Sequence, residues 1–170
     1  MFIIRLLSLG FLSLLLCGCA TSSSSKNNAQ LAEIDTELAV LDLHQNQAEQ
    51  AKVHLLDAVA LAPNDAMVLA GEGFYDLNIH ETARAALFYH EAIAVAPHNP
   101  EIQNDYGAFL FQTQQFSLAL PYFLKAAYSS DNLYAGEAFE NAALSELKLG
   151  NSSLAKYYFS EATLLQASQS

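Results

Sequence analysis

Basic side chains are scarce in this chain: 7 Lys and Arg stand against 18 Asp and Glu in 170 residues, a formal charge of −11. That balance argues against nucleic-acid binding, whose affinity comes mainly from cations neutralising phosphates. It also argues against a groove built for anionic lipid headgroups. There are two cysteines, Cys17 and Cys19, and both lie in the first twenty residues. The rest of the chain therefore has no disulfide, no thiolate metal site and no thiol nucleophile. Trp is absent, and the 7 Gly form no phosphate-cradling loop. No stretch reads as a convincing β-strand, which excludes sheet-based folds. What is present is a chain 52% hydrophobic, enough for one sizeable core or an elongated array, but not for two large domains.

The only long apolar run comes first. Arg5 precedes the run 6–16, which is too short to cross a hydrocarbon core about 30 Å thick as a stable helix. It fits the apolar part of a secretory signal. Leu16, Cys17, Gly18 and Cys19 resemble the bacterial lipoprotein cleavage box: an aliphatic residue, two small residues, then the cysteine that is lipidated. The resemblance implies a signal peptide over 1–18 and acyl chains on Cys19. Ala20 is not the Asp that often marks inner-membrane retention, which implies the outer membrane. Burial contributes about 0.8 kcal/mol per CH₂, so two or three chains anchor where one binds marginally. Residues 20–30 (ATSSSSKNNAQ) are poor in apolar side chains, and a flexible linker is predicted over 19–31.

Beyond the linker the sequence repeats. Ala51, Ala85, Ala119 and Ala155 are separated by 34, 34 and 36 residues, and Ala58, Ala92, Ala126 and Ala162 follow with the same spacing. Leu55, Tyr89, Phe123 and Phe159 sit three residues before the second alanine column. Ala39, Gly73, Gly107 and Ala143 form a small-residue column upstream, and Pro63 and Pro97 close the first two units. This is the tetratricopeptide pattern. Small side chains let paired helices approach, the aromatic fills the space between pairs, and Pro stops the second helix. An all-α solenoid of about four helix hairpins is predicted, with units at about 32–65, 66–99, 100–133 and 136–169 and a two-residue insertion near 129–133. A compact four-helix bundle is the main alternative. Asn64 and Asp65 precede one first helix and Asn99 with Pro100 another, as capping residues, and Pro121 falls inside a second helix, where a kink is expected.

In such a solenoid the first helices line the concave face. By register that face carries Glu33, Val40 and Leu43 from unit one and Met67, Phe74 and Leu77 from unit two. Glu101, Asn104 and Phe111 come from unit three, and Glu137, Glu140 and Leu144 from unit four. The reading is an apolar strip with an acidic end, suited to a peptide anchored by apolar side chains and selected by carboxylates for basic or N-terminal groups. Phe74 and Phe111 could equally be part of the core. Catalysis has little support: Glu137 and Glu140 are spaced like an acid/base pair, but surface helices carry such pairs constantly. The five His (His44, His54, His80, His90, His98) show no ligand-like spacing, so neither metal nor cofactor is expected. Phe159 belongs to the core by its column, and Tyr157 or Tyr158 is left to face outward.

Unit three carries a more specific likeness. Gln103-Asn104-Asp105-Tyr106-Gly107-Ala108-Phe109-Leu110-Phe111 resembles a stretch of the type IV pilus biogenesis/stability lipoproteins, the PilF/PilW-type pilotins. Leu120-Pro121-Tyr122-Phe123 follows at that family's distance, and Ala138-Phe139-Glu140-Asn141-Ala142-Ala143 is similar to its Glu-Asn segment. The likeness covers nearly all of the chain after Cys19. It implies a non-enzymatic adaptor, tethered to the outer membrane and facing the periplasm, whose partner is the pilus secretin. It implies no small-molecule substrate. The alternative on the same fold is a scaffold for cell-wall enzymes or for outer-membrane protein assembly.

Overall fold

The computed structural model describes residues 20–130 and 133–169, all of it helix and turn. The signal segment and Cys19 lie outside the described residues. Eight helices follow in order: α1 (Ala20–His44), α2 (Ala48–Leu61), α3 (Ala66–Asn78), α4 (Thr82–Val95), α5 (Pro100–Gln112), α6 (Phe116–Ala127), α7 (Ala135–Lys148) and α8 (Ser152–Gln169). They pair as antiparallel hairpins, α1 with α2 through α7 with α8, and the hairpins stack. Among the described residues no helix is long and apolar enough to cross a membrane.

The alanine columns explain the pairing. Ala51, Ala85, Ala119 and Ala155 are at most 1% exposed, as are Ala58, Ala92, Ala126 and Ala162. Each lies where two helices cross, and a larger side chain would push them apart. The small column is equally tight. A Cβ built on Gly107 would lie 2.7 Å from Phe123 Cε1, and one on Gly73 would lie 2.9 Å from Tyr89 Cδ2. Tyr89, Tyr106, Phe109 and Phe123 occupy the central core with Ile102 and Leu110.

Local chemistry sets the boundaries. Asp65 accepts a hydrogen bond from the Met67 amide at 2.8 Å, and Asn99 accepts from Glu101 at 2.9 Å, capping α3 and α5. Every first helix ends in a left-handed residue: Asn46, His80, Gln114 and Gly150, with φ of 60°, 67°, 62° and 86°. The next amide then bonds back five residues, Gln47 to Asp42, Glu81 to Asp76, Gln115 to Leu110 and Asn151 to Glu146, each at 2.8 Å. This doubled-back end satisfies carbonyls that the helix leaves open. Three of the four positions are not glycine, so each of those turns holds strain of about 1–2 kcal/mol against its hydrogen bonds. Ion pairing clasps the second hairpin: Arg84 Nε donates to buried Asp76 at 2.7 Å, and its Nη2 donates to the other oxygen.

Two expectations need correction. Residues 20–31, read as a flexible linker, are the first turns of α1. Extending a formed helix adds one hydrogen bond per residue without a new nucleus. Ser25, Asn28 and Ala29 also lie beside the α2–α3 turn, sharing a shallow depression with residues 61–65. Phe159, assigned to the core, is half-buried, because among the described residues no helix packs over it as α7 covers Phe123. Pro121 sits on the exposed side of α6, which runs through it. Of Tyr157 and Tyr158, Tyr157 is the one that faces outward, 47% exposed.

Among the described residues the array has an uncovered edge. Ile34, Val68, Ile102 and Ala138 occupy one repeat position. Val68, Ile102 and Ala138 are 0% exposed beneath the preceding hairpin, whereas Ile34 is 52% exposed. Leu31, Leu38 and Leu41 share its face and are also exposed.

Candidate partner groove

The first helices are acidic and the second helices are not. α1, α3, α5 and α7 hold eleven carboxylates (four, two, two and three) against two lysines. α2, α4, α6 and α8 hold four carboxylates against four Lys and Arg. Charge is thus segregated across the thickness of the solenoid, and the field is negative on the face that the first helices line.

Stacking is not uniform along that face. Apart from its hairpin partner α8, α7 packs mainly on α6 and only lightly on α5, less than α5 packs on α3. The two-residue insertion precedes α7 and lets it lean away. A cleft opens between α5 and α7, about 240 Å³ in volume, lined by Glu101, Asn104, Asp105, Tyr134 and Glu137. Asn141 Nδ2 donates to Asn104 Oδ1 at 3.1 Å and joins the two helices beside it.

The carboxylates sense one another. Burial and the charges of Glu101 and Glu137 push the Asp105 carboxyl up to about 7 from its ordinary 3.8. Burial, then Glu33 and Glu37 on α1, raises Glu101. On α3, Glu72 is raised by burial and then by Asp76 and Glu91, with Arg84 acting the other way. Glu33, Glu37, Glu101, Asp105 and Glu137 make no ion pair among the described residues.

Of the residues assigned to the groove from sequence, Glu101, Asn104 and Glu137 meet in the cleft. Glu140 does not line it; its carboxylate accepts a hydrogen bond from Gln166 of α8 at 2.8 Å. Met67, Phe74, Leu77 and Phe111 are half-buried against the central core. Phe74 lies 5.5 Å from the His44 ring and Phe111 lies 5.1 Å from Phe116, centroid to centroid. Leu43 is buried, and Leu144 is 41% exposed. Asp105 and Tyr134 were missed. Asp105 adjoins Asn104, and consecutive residues of one helix rarely share a site unless a neighbouring helix tilts. Tyr134 enters through the insertion, where the period breaks. Among the described residues no group of His, Cys, Asp and Glu is placed to hold a metal ion.

No family model matches the chain. The type IV pilus assembly protein PilF of Pseudomonas aeruginosa is 29% identical over 162 residues, covering 91% of this chain and 64% of the relative. The solved structure of Pseudomonas aeruginosa PilF matches with a TM-score of 0.72 at 28% identity, over 82% of this chain and 63% of that one. In sequence and in fold the chain is thus similar to a type IV pilus assembly protein, and the shared fold is a tetratricopeptide-type solenoid. The crystal structure of PilW, described as a widely conserved type IV pilus biogenesis factor, shares the fold with a TM-score of 0.72 at 23% identity, over 81% of this chain and 63% of that one. The chain spans slightly under two thirds of the length of PilF, 64% by sequence.

Proposed function

We propose that this protein is an outer-membrane lipoprotein adaptor of the pilotin kind, which binds the type IV pilus secretin and promotes its localisation and multimer assembly. The observation that carries the reading is an acidic concave face, on which Glu33, Glu37, Glu101, Asp105 and Glu137 make no ion pair among the described residues, on a fold and sequence shared with PilF. Acyl chains on Cys19 hold one end at the membrane, and the groove holds a secretin segment. Joining partner and membrane in one molecule raises the effective concentration for insertion to about the millimolar range for a short link. The work is done by binding, and no step of it needs a catalytic group.

Replacing Cys19 tests this directly. Cys19→Ala is expected to leave α1–α8 folded, because the buried core of the described residues begins at Ala32. The expected result is a normal circular dichroism spectrum with secretin multimers lost from the outer-membrane fraction. Secretin multimers at wild-type abundance and location in that mutant would refute the proposal.

A further inference from the structure

The cleft between α5 and α7 has a more specific chemistry than the groove around it. Three carboxylates from two helices converge on one cavity of about 240 Å³. Glu101 and Glu137 stand at its rim, exposed, and Asp105, half-buried, lines it with no hydrogen-bond or ion-pair partner among the described residues. A half-buried carboxylate crowded by two others is neutralised either by a proton or by a cation that reaches it. A metal ion does not fit, because no described group of acids is close enough together to ligate one. A longer cation that makes separate hydrogen bonds to each carboxylate does fit. Tyr134 adds an aromatic ring at the rim, 64% exposed.

We propose that this cleft receives one lysine or arginine side chain of the segment bound in the groove. The inference rests on the reading that the concave face holds a protein segment, and it adds a charge requirement at one place in that segment. A neutral side chain there would leave Asp105 desolvated and unpaired, so the cleft selects by rejection as well as by attraction. The titratable groups that face Asp105 are Glu101 on its own helix, Glu137 on α7 and Tyr89 on α4, whose phenol is itself raised by burial and by Asp105. None of them is a cation. Because the Asp105 carboxyl is held up to about 7, a bound cation expels its proton, and binding tightens as the pH rises from about 6 to 8.

The experiment uses the full chain in detergent and two dye-labelled peptides of about twelve residues. One has Leu, Ala and Ser around a single central arginine. The other has citrulline there, which keeps the shape and removes the charge. At low salt the arginine peptide is expected to bind about tenfold more tightly or better, the scale of one desolvated charge-assisted contact. Asp105→Asn and Glu137→Gln are each expected to bring the ratio close to one, while Glu91→Gln on α4 preserves it. Glu137 is exposed, so its variant reads the cleft without a folding defect. Equal binding of both peptides to the unmodified chain would overturn the cation requirement and leave the groove reading standing. No binding of either peptide would overturn both. Discrimination that survives Asp105→Asn, or calcium displacing the arginine peptide beyond its effect on ionic strength, would also overturn the proposal.

Discussion

Asp105→Asn should make the protein more stable at neutral and alkaline pH. The side chains are nearly the same size, so the substitution removes a charge and little else. In the folded chain the carboxyl binds its proton up to about pH 7, against an ordinary value of 3.8. A group with a raised folded pKa binds more protons in the native than in the unfolded state. Its folding penalty is therefore absent below about pH 4, grows as the pH rises, and is complete above pH 7. A difference of about 3 units corresponds to about 4 kcal/mol, and water entering the cleft reduces that, giving an expected gain on the order of 2–4 kcal/mol at pH 8. Asparagine does not titrate, so the advantage should shrink to about zero near pH 4. Urea unfolding of both proteins at pH 4.5 and pH 8, followed by circular dichroism, measures the difference directly, and titrations common to both cancel. An Asp105→Asn variant no more stable than the parent at pH 8 would show that Asp105 has a compensating partner in the folded chain. The reasoning about the cleft would then be wrong. Retaining a destabilising carboxylate is what a binding site requires and what a core position does not.

Gly107→Ala should destabilise the fold by about 1–3 kcal/mol, because its Cβ would lie 2.7 Å from the Phe123 ring. A lower urea midpoint at unchanged slope is the expected signature, and an unchanged midpoint would contradict the close helix approach. Ile102→Ala should cost about 2–5 kcal/mol, whereas Ile34→Ala at the same repeat position should cost about 0.5 kcal/mol or less. Ile102 is sealed beneath the preceding hairpin and Ile34 is 52% exposed. Equal losses in thermal or urea unfolding would mean that something covers the first hairpin in solution.

The hairpin stack was legible because its cause is periodic. Two alanine columns and an aromatic column recur at a spacing that only repeated helix pairs explain, and all eight alanines are buried. Other features left no such trace. The left-handed helix ends fall on Asn46, His80, Gln114 and Gly150, and only the last is the residue type that announces such a turn. The first turns of α1 are Ser- and Asn-rich, with helix supplied by propagation from the packed part rather than by local preference. In the groove, Glu101, Asn104 and Glu137 could be placed by register. The partial burial of Phe74 and Phe111 depends on hairpin spacing, which register does not encode. Asp105 and Tyr134 depend on the tilt of α7, a consequence of two inserted residues that break the period.

The central claim is that the concave face holds the pilus secretin, and photocrosslinking in cells tests it most directly. A benzophenone amino acid placed at Glu101, at the cleft, is compared with one at Leu87, which is 63% exposed on α4. The account predicts a secretin adduct from position 101 and none from position 87. Absence of secretin from the adducts at 101, or equal crosslinking from 87, would contradict it.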